Sequence, residues 1–89
     1  MKIKLELFGS SRDLSDRDHL ELEVKDKASL DDLRNEIIKY IDKNFKGNES
    51  FVKVIKSSAF CSENNEIIGD NYKITKDQKI GIIPPIGGG

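Results

Sequence analysis

Apolar and polar residues alternate in the first part of the chain, which predicts two strands. Residues 2–8 and residues 20–25 each place an apolar residue at every second position, with charged residues between them. This two-residue period is typical of a strand that buries one face and exposes the other. A polar segment that begins at Gly9 separates the two strands. The apolar positions are Ile3, Leu5 and Leu7 in the first strand and Leu20, Leu22 and Val24 in the second.

The middle of the chain has the pattern of an amphipathic helix from about residue 30 to residue 45. Ser29 can cap its amino terminus by accepting a hydrogen bond from a free backbone N–H. Asp31 and Asp32 place negative charge in the first turn, where the helix dipole favours it. The pattern stops before Gly47. The apolar residues at helical spacing are Leu30, Leu33, Ile37, Ile41 and Phe45, supported by Ile38 and Tyr40.

Three further segments are expected to complete a sheet. Residues 52–61 have a strand-like composition with less regular alternation, residues 67–68 are expected to form a short edge segment, and residues 78–83 a last strand. The order strand, strand, helix, strand, strand predicts an α+β fold, with one main helix packed on one face of a single sheet. If the last strand lies beside the first, the sheet is mixed and the fold is a β-grasp. The chain then leaves the middle of the sheet near residues 9–12.

Length and composition indicate one soluble globular domain. The 89 residues are enough for one hydrophobic core, and 36% apolar and 35% charged residues suit a globular protein. We expect residues 1–83 to form the domain and residues 84–89 a flexible tail. A net charge of −1, without a long basic run, argues against nucleic-acid binding. No apolar run suits a signal peptide or a membrane span, so a cytoplasmic location is expected.

Few residues suggest a catalytic or metal site within the domain. Cys61 is the single cysteine, which excludes an intramolecular disulfide and a C-x-x-C site. It could accept an activated terminus as a thiol, but a small buried hydrophobic residue is the favoured interpretation. His19 is interpreted as a surface histidine without an acidic ligand on its strand face. Asp13, Asp16 and Asp18 lack the glycine of a calcium loop and are interpreted as a solvated connection. We therefore expect no metal and no cofactor bound by this chain.

The last six residues are the strongest local signal in the sequence. Pro84 and Pro85 cannot continue a sheet ladder, and they favour a stiff, extended segment that projects from the domain. The segment from Ile86 to Gly89 could then reach about 13 to 14 Å, at roughly 3.3 to 3.6 Å per residue, into a pocket of another protein. A terminal glycine has no Cβ to block a narrow channel, and its ionised carboxylate can attack an activated phosphate. The alternative is a frayed terminus without a function.

Strand parity predicts an apolar surface where the tail leaves the sheet. Phe8 has the parity of the charged residues of the first strand, and Ile83 has the parity opposite to Ile80 and Ile82. Both side chains are therefore expected to face away from the core and to contact a partner, with Arg12 as a polar residue at the rim. The alternative for Phe8 and Ile83 is packing at the sheet edge within the monomer.

Two segments resemble the small subunit of molybdopterin synthase. Residues 7–14 read Leu-Phe-Gly-Ser-Ser-Arg-Asp-Leu, and residues 82–89 read Ile-Ile-Pro-Pro-Ile-Gly-Gly-Gly. Members of that family end in Pro-Pro, two further residues and Gly-Gly, and the resemblance spans essentially the whole chain. Residues 61–62 and 76–78 depart from the family pattern in two loops. The residues that match the first motif are Phe8, Arg12, Asp13 and Leu14.

The resemblance implies a ubiquitin-like sulfur carrier that is not an enzyme by itself. An adenylating enzyme similar to ubiquitin-activating enzymes would use ATP to activate the carboxylate of Gly89, which follows Gly88, and a sulfur donor protein would convert it to a thiocarboxylate. The large subunit of the synthase would bind this chain in a hetero-oligomer, accept the tail in its catalytic pocket and pass the sulfur to a pyranopterin precursor. The residues expected to bind partners are Phe8, Arg12, Ile83, Pro84, Pro85, Ile86 and Gly87.

Three alternatives stay open at this point. A sulfur carrier for the thiazole of thiamin would share the fold and a terminus of three glycines, although Pro84, Pro85 and the chain length favour the first interpretation. A ubiquitin-like modifier, joined through its terminus to lysines of other proteins, would also have this fold. In a plain interaction domain the tail would have no function.

Overall fold

Strands and helices follow one another in an order close to the predicted one. The computed structural model describes residues 1–9, 14–15 and 17–84. The predicted division into a domain of residues 1–83 and a tail of residues 84–89 stays a prediction, since only Pro84 of the tail is described. The elements are β1 (Lys2–Leu7), β2 (His19–Glu23), α1 (Leu30–Phe45), α2 (Glu49–Ser57), β3 (Ala59–Cys61), β4 (Ile67–Ile68) and β5 (Gln78–Ile83).

The strands form one mixed sheet in the order β2-β1-β5-β3-β4. The last strand, β5, lies parallel to the first, β1, and the other pairs of neighbours are antiparallel. A parallel pair needs a long crossover, and α1 lies within the connection between β1 and β5. This arrangement is the predicted β-grasp fold. Because β5 is the central strand, the chain leaves the sheet from its middle, as expected.

Helix α1 begins and ends where the sequence predicts. The Ser29 hydroxyl accepts a hydrogen bond from the Asp32 backbone N–H, and the Asp32 carboxylate accepts one from the Ser29 backbone N–H. This reciprocal capping box satisfies two donors that the first turn leaves free. At the other end Lys46 and Gly47 adopt left-handed conformations, and the Gly47 N–H donates to the Ile41 carbonyl. The helix ends there because this bond satisfies a carbonyl group that the last turn would leave without a donor.

The prediction of a strand over residues 52–61 is wrong for most of that segment, because residues 49–57 form helix α2 and only residues 59–61 form a strand. β-branched residues gave the segment its strand-like composition. The helix is nevertheless favoured by its cap, since the Asn48 side chain accepts hydrogen bonds from the N–H groups of Ser50 and Phe51. Tertiary packing also favours the helix, because Ile55 is fully buried in the core.

One face of the sheet packs against α1 and forms the core, and the other face is open to solvent. Side chains at alternate positions of β1 and β5 point to the helix and are almost completely buried. The central residue of the helix face, Ile37, is 0% exposed, as the helical spacing predicts. The largest fully buried side chains are Ile3, Leu5, Leu14, Leu33, Ile37, Ile41, Ile55, Phe60, Ile74, Ile80 and Ile82.

Candidate functional site

The tail begins beside the turn that follows β1. Gly9 has a φ of +56°, a left-handed conformation that glycine adopts without strain, and the chain turns away from the sheet there. A Cβ added at Gly9 would lie 3.7 Å from Cγ of Pro84. The turn and the first residue of the tail are therefore neighbours, as predicted for this end of the sheet.

Phe8 and Ile83 stand next to this exit point on the open face. The parallel pairing of β1 with β5 ends with Leu7 opposite Ile82, and Phe8 and Ile83 directly follow this pair. Phe8 is 47% exposed and Ile83 is 36% exposed, which agrees with the outward orientation expected from parity. The other half of the Phe8 surface is buried within the monomer, so the exposure alone does not decide between partner binding and packing at the sheet edge. Partner binding by these residues stays a prediction.

Four more residues on the open face extend this surface. Ala59 pairs with Ile83, Cys61 pairs with Gly81, and Ile67 pairs with Cys61, so all lie on the same side of the sheet. Ile67 is 67% exposed, the highest value among the large hydrophobic residues described. Sequence reasoning missed this extension, because nothing in the sequence gives the register of a strand of two residues. We name as the apolar patch Phe8, Ala59, Cys61, Ile67, Gly81 and Ile83.

Cys61 is a buried free thiol within this patch. Only 8% of its surface is exposed, which confirms the interpretation as a small buried hydrophobic residue. A Cβ added at Gly81 would lie 2.7 Å from Sγ of Cys61 and 3.1 Å from Cε2 of Phe8. The thiol and the aromatic ring thus meet above the backbone of Gly81.

The same open face has a different character at the end where β1 and β5 begin. Residues of opposite charge face each other in the register of β1 and β2, and the Lys79 ammonium lies 3.1 Å from the Glu6 carboxylate. The backbone N–H of Lys79 also donates to Glu63 at 2.8 Å. We name this region the charged end, and it consists of Lys2, Lys4, Glu6, Glu21, Glu23 and Lys79; Glu6 lies opposite Gly81 and borders the apolar patch.

One part of the interpretation of His19 is wrong, because an acidic residue does lie on its strand face, and the side chain is half-buried rather than fully exposed. Its side chain is 17% exposed, its Nδ1 lies 3.1 Å from Asp18, and its Nε2 lies 3.9 Å from Glu21, two residues along the same strand. The two-residue period of a strand puts residues 19 and 21 on one face. No group of three His, Cys, Asp or Glu residues that could hold a metal ion occurs within residues 1–9, 14–15 and 17–84.

The remaining predicted site residues lie outside the described part of the chain. The structure therefore gives no position for the reacting terminus, for most of the tail or for the rim arginine, and their roles stay predictions. Two of the three aspartates that were interpreted as a solvated connection also have no described position. These residues are Arg12, Asp13, Asp16, Pro85, Ile86, Gly87, Gly88 and Gly89.

A family model described as the ThiS family matches residues 5–89, which is almost the whole chain and includes the tail. The chain belongs to the ThiS family. Membership agrees with the predicted small sulfur carrier subunit of ubiquitin-like fold, and it makes the chain a carrier protein rather than a catalytic domain. A search of curated proteins found no match. None of the helices in the described residues is long and apolar enough to cross a bilayer.

Two solved structures have the same fold over their whole length. The first, from Pyrococcus furiosus, is described as a candidate molybdopterin converting factor, subunit 1; it has a TM-score of 0.68 and 23% sequence identity, over 96% of this chain and 98% of that chain. The second is SAMP1 from Haloferax volcanii, with a TM-score of 0.66 and 13% identity over 100% of both chains. At these identities the comparison establishes the β-grasp fold and nothing finer.

Proposed function

We propose that this ThiS-family chain is the sulfur-carrying small subunit of a molybdopterin synthase, with Gly89 as its final and reacting residue. One observation carries the proposal: the Pro-Pro-x-x-Gly-Gly segment follows the central strand directly and begins beside an exposed apolar patch. The family match through residue 89 supports it, as does the fold shared with the Pyrococcus furiosus protein.

The chemistry that we propose takes place at the carboxylate of Gly89. An α-carboxyl group with a reference pKa of about 3.3 to 3.7 is ionised at neutral pH, and its oxygen can attack the α-phosphate of ATP on an adenylating partner. Pyrophosphate leaves and an acyl adenylate forms. Hydrosulfide supplied by a donor protein then attacks the acyl carbon and displaces AMP, and loss of the proton leaves a thiocarboxylate. The sulfur is delivered to a pyranopterin precursor in the pocket of the large subunit.

The fold supports this function through the place where the tail starts. Strand β5 has a hydrogen-bonded neighbour on both sides as far as Ile82, and Ile83, the residue before the tail, pairs with Ala59 of β3. Phe8 and Ile83, which are next to Pro84 at this point, offer apolar surface for docking. A docked domain would fix the base of the tail relative to the pocket of the partner, which raises the chance of a productive approach.

The proposed assembly contains several partners in turn. The large synthase subunit would form a hetero-oligomer with this chain, and the adenylating enzyme, which uses ATP, and the sulfur donor would act before it. The chain itself binds no cofactor in this scheme, and its proposed location is the cytoplasm. Arg12 is proposed as a polar contact at the rim of the interface. Residues 84–87 are proposed as the part of the tail that the partners contact.

Reconstitution with purified partners tests the proposal. The chain is incubated with an adenylating enzyme, ATP and a sulfur donor, then with the large subunit and the pterin precursor, and product is measured. We expect product from the parent and none from a chain that lacks Gly89, because the shortened tail places the carboxylate about 3.3 to 3.6 Å too far back. Transfer by the shortened chain would contradict the role of Gly89. Sulfur transfer to a thiazole synthase but not to the large subunit would favour the thiamin alternative.

A further inference from the structure

Gly81 occupies the middle of the apolar patch. It lies on the central strand β5, with Glu6 beside it on β1 and Cys61 beside it on β3. A Cβ at this position would lie 2.7 Å from Sγ of Cys61 and 3.1 Å from Cε2 of Phe8. Both distances are shorter than an ordinary van der Waals contact of about 3.5 to 4.0 Å. The thiol and the ring therefore fill the space that a side chain at residue 81 would need.

This arrangement accounts for the low exposure of Cys61, which its position on the open face of the sheet does not explain. Cys61 points to the open face, yet it is only 8% exposed, whereas its register neighbour Ile67 is 67% exposed. Gly81, the neighbour on the other side, has no side chain that could cover the thiol. The Phe8 ring reaches from β1 into the space above Gly81, and the thiol borders the same space from β3. Strands β1 and β3 do not pair with each other.

We propose that Gly81 is a positioning residue, whose missing Cβ leaves room for the Phe8 ring to lie across β5 and against Cys61. We call this position of the ring its seat. A seated ring has fewer rotamers to lose when a partner docks, so the seat prepares the patch for binding. An added methyl group would press on the Cys61 sulfur, 2.7 Å away, and on the edge of the Phe8 ring, 3.1 Å away, so both side chains would have to shift. The docking role rests on the proposed function, whereas the seat is a property of this chain alone.

The position of the ring is tested without any partner, by NMR spectroscopy of the parent and of Gly81→Ala. We expect nuclear Overhauser contacts between the Phe8 ring and the Cys61 β-protons in the parent, and clearly weaker contacts in the variant. Melting curves check that the variant stays folded. Contacts as strong as those of the parent in a folded Gly81→Ala variant would overturn the seat.

A second measurement uses the single cysteine of the chain and does not depend on the folding of Gly81→Ala. If the ring covers the thiol, Phe8→Ala should make Cys61 react several-fold faster with a thiol reagent, and the side chain removed is half exposed and outside the core. Cys61→Ser, which should not react, is the control for the signal. An unchanged labelling rate in folded Phe8→Ala would also overturn the seat.

The docking role is tested by a double-mutant cycle with the large synthase subunit, measured by calorimetry. We expect Gly81→Ala to weaken binding by about tenfold in the parent and by much less in a Phe8→Ala background, because the part of the effect that acts through the ring is then absent. An equal loss in both backgrounds would mean that the methyl group itself clashes with the partner, and would overturn the positioning role. A parent that does not bind the large subunit contradicts the proposed function and the docking role with it, while the NMR and labelling results still decide on the seat.

Discussion

The two ends of the open sheet face share their strands but differ in chemistry. At the charged end, residues of opposite sign stand across from each other, and the Lys79 ammonium pairs with Glu6. At the apolar patch, Phe8, Ile67 and Ile83 expose between 36% and 67% of their surface. Both ends face away from the core, so folding alone does not require the difference.

The difference indicates where the proposed partner would bind. Charged side chains at the charged end are solvated without a partner, and Lys79 also pairs with Glu6. Exposed large apolar side chains gathered in one place are uncommon on a monomer and mark surfaces that become covered. The patch lies at the end of β5, where the tail begins, and the charged end lies at the start of the same strand. A partner that holds the tail would therefore cover the patch first.

The largest expected effect comes from placing a charge in the patch beside the tail. Phe8→Glu and Ile83→Glu should each weaken calorimetric binding to the large synthase subunit by about 2 kcal/mol or more, roughly thirtyfold, because an apolar anchor at the centre of an interface is lost. Circular dichroism should show an unchanged fold, since both side chains lie outside the core. Lys4→Glu, on the charged end of the same face, is the matched control and should bind like the parent. Parent-like affinity in both patch variants would place the interface elsewhere.

A smaller effect is expected at the outer limit of the patch. Ile67→Ser on the edge strand should reduce affinity by about 1 kcal/mol, roughly fivefold, because the residue lies farther from the tail and nearer to the rim. Glu66→Ser, at the neighbouring exposed position, should leave affinity unchanged. If Ile67→Ser also binds like the parent, the docking surface ends at β3.

At the charged end, stability should change a little and docking should not. Lys79→Ala removes the pair with Glu6, and partly exposed ion pairs contribute at most about 1 kcal/mol, so urea unfolding should show a small loss that high salt reduces. Binding to the large subunit should be the same as for the parent. A tenfold loss of binding, which would correspond to about 1.4 kcal/mol, would show that the partner also covers the charged end.

The smallest effect is expected in the helix layer, at the capping box of α1. The backbone N–H of Ser29 and, less strongly, the Lys25 ammonium lower the pKa of the Asp32 carboxyl below 3.8. A carboxyl whose pKa is lower in the folded state stabilises the fold above its unfolded pKa, and this stabilisation is lost as the pH falls through the folded value. Asp32→Asn should therefore lose part of the stability at pH 7 and approach the parent at pH 3 in urea unfolding. A constant difference over this range would contradict the shift, and docking should not change at either pH.

The sequence predicted those elements whose signals are local and regular. Helix α1 was predicted with its observed bounds because Ser29, the acidic first turn and Gly47 mark its two ends. The central position of β5 followed from the rule that one long crossover joins two parallel strands. Helix α2 was missed because β-branched residues suggested a strand, although Asn48 carried a cap signal.

Contacts between distant strands could not be predicted in the same way. Parity indicated that Phe8 and Ile83 face outward, but the ring above Gly81 depends on how three strands pair. The exposure of Ile67 depends on the register of a two-residue strand. The burial of His19 against Glu21 could have been foreseen from the strand period alone.

Mass spectrometry of the chain, purified from its own cells without a terminal tag, tests the central claim most directly. If the chain is a sulfur carrier, part of it should be heavier by about 16 mass units, the difference between a carboxylate oxygen and a sulfur atom. Fragmentation should place this difference at Gly89, and a chain that lacks Gly89 should not show it. Absence of the heavier form, with conjugates of high mass in which Gly89 is joined to lysines of other proteins, would contradict the carrier function and identify a modifier.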